Sequence, residues 1–202
     1  MKKMTLTLYA VTGLAAATVA MASPAAAVRS APVSAGGTVY TLEARRDGEA
    51  NWRPLQTGKT PLTATQWEWN TETYPDGWYK LRVTASDQAA NSPDRALTSS
   101  KMSTLFAIDN TRPVIDGLTI NYGKTTVARA SDQISTIAEM AFSVDDQPWQ
   151  LGTTADGLFD DQTEVLRIDL PAGLPRGTHT LAVRVADSAG NVGSTSSTFV
   201  VK

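Results

Sequence analysis

Histidine occurs once in this chain of 202 residues, at His179, and cysteine does not occur at all. With no thiol there is no cysteine nucleophile, no thiolate zinc site and no disulfide. A metal centre built on several imidazoles is excluded by the same count. His179 could serve as a general base only beside an activated serine, and the G-x-S-x-G turn that presents one is absent. It stands inside a run of alternating apolar and polar residues, which points to a structural role.

The carboxylates offer one further chemistry. Asp145-Asp146 and Asp160-Asp161 are the pairs from which an acid and a base for glycoside hydrolysis could be drawn, a reaction that needs two carboxyl groups facing each other across a cleft. Both pairs lie in turn-forming stretches, where aspartate usually bonds its own backbone. Two Gly-Lys-Thr triplets, Gly58-Lys59-Thr60 and Gly123-Lys124-Thr125, fail as phosphate loops. The glycine required five positions earlier is replaced by Arg53 and Leu118, and neither triplet opens a predicted helix. Asp87 with Asn91 and Asp187 with Asn191 repeat an Asp-x-x-x-Asn spacing in loops, and their hard oxygen donors suit calcium. These four residues are the metal candidates, with a plain turn as the competing reading. No catalytic residue and no other cofactor is expected, so the chain reads as a non-enzyme.

Five tryptophans remain, and a binding protein would use them. Trp67 and Trp69 lie two apart and share a face, and Trp69 is expected between sheets as a core residue. Trp78 is out of phase with Tyr79, Leu81 and Val83, so it is expected in solvent, where it can stack on a sugar or anchor a protein. Trp78, Trp52 and Trp149 are the contact candidates.

The elements that position these residues are strands. Tyr79 to Ala85 alternates strictly, with Tyr79, Leu81, Val83 and Ala85 for a core and Lys80, Arg82 and Thr84 for water. The same text returns one hundred residues later from His179 to Val185. Pro175-Arg176-Gly177 stands before it as Pro75-Asp76-Gly77 stands before the first copy, and Asp187 and Asn191 answer Asp87 and Asn91. A turn, strand and loop repeated at fixed offset imply duplicated modules. Tyr40 to Asp47 with Trp52 resembles Met140 to Asp145 with Trp149 more loosely. Asp109-Asn110-Thr111-Arg112-Pro113 separates the copies, ending in a proline that cannot donate to a ladder.

In the second copy the pattern predicts strands near 115–121, 125–130, 138–144, 149–151, 165–170, 178–186 and 194–201, with Ser135 to Met140 able to make a single helical turn. Seven strands fit an antiparallel sandwich. Ahead of both copies, Lys2 and Lys3 precede an apolar run from Leu6 to about Ala22 and the small residues Ala25-Ala26-Ala27. This is the form of a signal peptide cut after Ala27, or alternatively after Ala22. A cut after Ala27 leaves 16 basic against 20 acidic residues, a formal charge of −4, with no basic block for nucleic acid. An exported protein, periplasmic or extracellular and without a membrane span after cleavage, is expected.

The stretches YPDGWYKLRVTASDQAANSPDRALTSS, FAIDNTRPVI, FSVDDQPW and LPRGTHTLAVRVADSAGNVGSTSSTFVV resemble the paired sandwich modules at the C-terminal end of some secreted bacterial β-propeller proteins. The DNT before Pro113 and the DSAGN run are similar to many bacterial immunoglobulin-like repeats. The resemblance covers about residues 38–202. It implies an all-β chain of two tandem immunoglobulin-like or fibronectin-type-III-like modules, over 28–112 and 113–202, following the leader at 1–27. It also implies that Tyr79, and His179 in its place, act as a tyrosine corner, bonding back to nearby backbone.

In the family further strands precede the first module, whereas only Val28 to Gly37 lies between leader and first strand here. The first module therefore reads as strand-deficient, with an open edge suited to strand addition by another protein or a second copy. A strand at Ala31-Ser34 closing a smaller sandwich is the competing reading. The expected function is protein interaction, adhesion or spacing in the periplasm or cell envelope. A carbohydrate-binding accessory protein using an exposed tryptophan is the alternative, and a fragment of a larger propeller protein is the second.

Overall fold

The computed structural model describes residues 3–7, 20–22, 37–55 and 66–202. The described residues are all-β, with several antiparallel sheets, one 3-10 turn at Thr71–Thr73 and no α-helix. None is part of a helix long and apolar enough to cross a membrane. The leader residues Ala25-Ala26-Ala27, the Ala31-Ser34 segment and the Gly58-Lys59-Thr60 triplet lie outside the described residues.

Two compact units divide the chain, Met1–Ile108 and Asp109–Lys202. Unit 1 contains β1 (Lys3–Thr7), β2 (Ala20–Ala22), β3 (Val39–Arg46), β4 (Arg53–Pro54), β5 (Gln66–Asn70), β6 (Gly77–Ser86), β7 (Thr98–Met102) and β8 (Phe106–Ile108). Unit 2 contains β9 (Val114–Thr119), β10 (Thr126–Ser131), β11 (Ile137–Val144), β12 (Gln150–Leu151), β13 (Thr153–Thr154), β14 (Thr163–Ile168), β15 (Gly177–Asp187) and β16 (Val192–Val201).

In unit 1 one sheet runs β4-β3-β6-β7, with β8 also paired to β6, and the other runs β2-β1-β5. Alternation decides which side of β6 is inside. Tyr79, Leu81, Val83 and Ala85 are buried while Trp78 is exposed and Lys80, Arg82 and Thr84 are half-buried. Leu42 and Ala44 of β3, Leu55, Trp69 of β5 and Ile108 of β8 join the same core. Each fully buried leucine, Leu42 and Leu81 among them, contributes about 1.5–3 kcal/mol of burial. β1 and β2 come from the stretch read as leader, and β1 pairs with both β2 and β5. Lys3-Met4-Thr5-Leu6-Thr7 alternates with period two, a strand signal that its apolar context conceals.

Unit 2 packs a β13-β14-β10-β9 sheet against a β12-β11-β15-β16 sheet. Ala128, Ala130, Leu166 and Ile168 from the first face Phe142, Val144, Leu181, Val183 and Val185 from the second in one core. The longest ladder joins β15 to β16 from Gly177↔Val201 to Ala186↔Val192. Ser135 to Met140 makes no helical turn. Asp132 Oδ1 accepts from the backbone N–H groups of Ile134 and Ser135, which bends the chain there and leaves Ile137 onward free to pair with β15.

Candidate functional site

The structure uses its chemically capable side chains to hold corners. Gly77 and Gly177 open β6 and β15, and the first inward residue of each strand bonds the proline carbonyl four residues upstream. Tyr79 Oη donates to Pro75 O at 2.7 Å, and His179 Nε2 lies 2.8 Å from Pro175 O. The other ring nitrogen, Nδ1, is 2.5 Å from Asp145 Oδ2, and Asp145 Oδ1 accepts from the Thr180 N–H at 2.8 Å. Asp145 and Asp146 form the turn that leaves β11, with φ of 49° and 59° and the Gln147 N–H donating to Val144 O. Aspartate tolerates this left-handed conformation better than most residues. The Asp145 carboxylate therefore ties a hairpin turn to the start of β15. Among the described residues the imidazole's partners are Asp145 and the Pro175 carbonyl, and no serine hydroxyl is bonded to it.

Both ring nitrogens of His179 face acceptors, so the cationic form satisfies both contacts. The hydrogen bond that Nδ1–H donates to Asp145 holds the imidazole above its ordinary value, the Pro175 carbonyl adds to the rise, and burial opposes it. Asp145 is held below the usual carboxylate range, first by that same bond and then by the Thr180 N–H. Because the histidine is raised on folding, its contribution is complete below its unfolded value of about 6.5 and is lost as pH rises through the folded value. Because the aspartate is depressed, its contribution is present above about 3.9 and is lost as pH falls. The pair thus stabilises unit 2 most between about pH 4 and 6.5. The denaturation midpoint of unit 2 should decline as pH is raised from 6 to 9, and His179→Tyr, which copies the first corner, should flatten that decline. The single imidazole resonance gives a direct check, and titration at or below the ordinary value would contradict the assignment.

The four calcium candidates separate into two unlike settings. In unit 1 the half-buried Asp87 accepts from Leu97 N–H at 2.7 Å, and the exposed Asn91 donates to Asp87 O. In unit 2 Asp187 is buried and brackets Asn191, Oδ1 accepting from its N–H and Oδ2 from its side-chain amide, both at 2.8 Å. The Asn191 amide also donates to Asp109 O. Sequence reasoning did not bring in Asp109 and Asp132, yet their carboxylate oxygens and that of Asp187 lie within 4.8 Å of one another. Ser135 Oγ donates to Asp109 Oδ2. Burial pushes the Asp109 carboxyl up, and the charges of Asp132 and Asp187 add to the rise, against the bonds from Ser135 and the Thr111 N–H. Hard oxygens so grouped are calcium chemistry, but the Asp132 and Asp187 oxygens already accept backbone and amide bonds, which a cation would have to displace. Asp160 and Asp161 give their backbone N–H groups to the buried Glu164 carboxylate, and so they build the turn into β14.

The tryptophans divide as their phases predict. Trp69 is 4% exposed and meets Tyr74, Tyr79 and Phe106 edge-on, with ring centroids 4.7, 6.5 and 6.1 Å away. Trp78 is 48% exposed and Trp149 45%. Arg45 and Arg82 lie over Trp52 at 4.9 and 4.6 Å, and Arg184 lies over Trp149 at 4.4 Å. Arg82 is itself bridged to Glu43 at 2.6 Å. Register sets Arg45 opposite Lys80, Arg82 opposite Met102 and Trp78 opposite Ala107. Trp78, Arg82, Arg45 and Met102 therefore share the face of this sheet that looks away from the core, and the Arg-capped Trp52 lies on it.

On unit 1 a pocket of about 110 Å³ is lined by Ala44, Arg46, Glu49, Arg53, Tyr74, Pro75 and Tyr79. Ligand pockets for small molecules run to about 300–1,000 Å³. Its guanidinium groups are engaged, Arg53 with Glu49 and Arg46 with Asp76 O. No family model matches this chain, and no curated protein matches it either.

Proposed function

We propose that this is a non-catalytic exported protein of two immunoglobulin-like or fibronectin-type-III-like modules, acting by protein interaction, in adhesion or as a spacer in the periplasm or cell envelope. The observation that supports this most is the outer face of the β3-β6-β7 sheet, which gathers Trp52, Trp78, Arg45, Arg82 and Met102. Tryptophan, methionine and arginine are the residues in which protein interfaces are enriched, and tryptophan and arginine dominate their hot spots. His179, Asp145, Asp187 and Asn191 are meanwhile engaged in bonds that shape turns. The aligned strands and repeated corners support the sandwich reading, and the basic-then-apolar start supports export.

A photo-crosslinking residue at position 78, expressed in the producing cells, is expected to capture a discrete protein, whereas one at position 163 in unit 2 is not. Equal capture from both positions would remove the reading. The exposed Trp78 also supports the carbohydrate alternative. In that case glycans should quench tryptophan fluorescence, and Trp78→Ala should abolish the quenching. A protein-binding role predicts no response to glycans.

A further inference from the structure

The second sheet of unit 1 depends on residues that export would remove. It runs β2-β1-β5, and both β1 and β2 fall within residues 1–27. Among the described residues β5 pairs with β1 alone, antiparallel over five positions from Lys3↔Asn70 to Thr7↔Gln66. Export with cleavage after Ala27, or after Ala22, takes away that ladder entirely. The core still holds β5 through Trp69, so the strand keeps its place but loses its sheet. A strand held by its side chains with its N–H and C=O groups unpaired is a template for another strand.

We infer that in the exported protein β5 is a strand acceptor, and that its occupant is an extended segment of another protein lying where Lys3–Thr7 lies in the full chain. This rests on the export reading proposed above. The register defines the occupant. Apolar residues two apart must stand opposite Trp67 and Trp69, as Leu6 and Met4 do, with a small polar or basic residue between them opposite the exposed Glu68, as Thr5 does. A second copy fits less well. With β5 paired antiparallel to β5 so that Trp67 meets Trp69, Glu68 falls opposite Glu68, and like charges directly opposed are destabilising. Main-chain bonds supply the affinity of such an addition and the alternate side chains its specificity.

The test compares the full chain with residues 28–202 by amide hydrogen exchange. A synthetic peptide of residues 1–8 serves as probe, and the same peptide carrying Thr5→Pro as control, since proline removes a ladder donor. Residues 67–70 should be protected in the full chain and exchange at least about tenfold faster in residues 28–202. The unmodified peptide should restore protection and the proline peptide should not. Loss of protection that spreads into β3 and β6, again restored by the peptide, supports the inference equally. Protection of 67–70 without peptide overturns it, whether in a monomer, where the chain closes its own edge, or in a dimer, where a second copy is the occupant. No binding by the peptide also overturns it. Capture of a protein from position 78 is independent of these results, so the outer-face reading can survive the failure of this one.

Discussion

Replacing Trp69 by alanine is expected to destabilise unit 1 of the full chain by about 3–5 kcal/mol, the range for deleting a buried aromatic side chain. Trp69 is the buried residue of β5 in the core, beside the half-buried Trp67, and three aromatic rings meet it edge-on. Such pairs add about 0.5–1.5 kcal/mol each beyond the area they bury. Among the described residues the buried indole N–H has no hydrogen-bond partner, so its removal orphans no acceptor there. The loss is therefore one of packing and of the cavity left among Tyr74, Tyr79 and Phe106. Trp69→Phe should recover a good part of it, because a smaller ring can keep some of the edge contacts. Urea denaturation followed by exchange of β6 amides for unit 1 and β15 amides for unit 2 separates the two units. The first should shift and the second should hold, since each has its own core. A loss below about 1 kcal/mol would mean that β5 is not held against the core as described.

The same strand marks where the sequence stops being readable. β6 and β15 are legible because alternation over Tyr79–Ala85 and His179–Val185 decides both their type and their inner face. All seven strands expected in the second copy correspond to strands of unit 2. The eighth, β13, is missed because two threonines behind Gly152 carry no period. β1 and β2 are missed for another reason. A basic start, an apolar run and small residues satisfy a leader as well as they satisfy strands, and composition cannot separate the two uses.

Pairing between distant loops is the least legible part of the site. Nothing local to Asp145 says that its carboxylate will reach His179. That follows from β11–β15 register, which sets Val144 opposite Leu181 and so brings the turn beside the start of β15. The replacement of Tyr79 by histidine in the second copy, beside an aspartate-rich turn, is the one trace the sequence carries. Arg82 over Trp52 is likewise a product of register, which decides which β6 side chains lie outside. Asp109 and Asp132 could have been suspected only by asking which loops end near β15, a question of topology.

The Asp-x-x-x-Asn repeat makes the difference between local text and tertiary setting measurable. Asp187→Ala is expected to destabilise unit 2 by about 2–4 kcal/mol, because it leaves the buried Asn191 N–H and side-chain amide without their carboxylate acceptor. The equivalent Asp87→Ala should cost less than about 1 kcal/mol, since among the described residues its carboxylate holds only the Leu97 N–H, at an exposed loop. Asp187→Asn should fall between, because one amide end can still accept from the Asn191 N–H while the other presents a donor to a donor. A second readout distinguishes this from general loosening. The charge of Asp187 helps hold the Asp109 carboxyl above its ordinary range, so in Asp187→Asn the Asp109 carboxyl resonance should titrate at lower pH than in the parent. If the two alanine variants lose the same stability, the buried bracket in unit 2 is not formed and the repeat is only a turn in both copies.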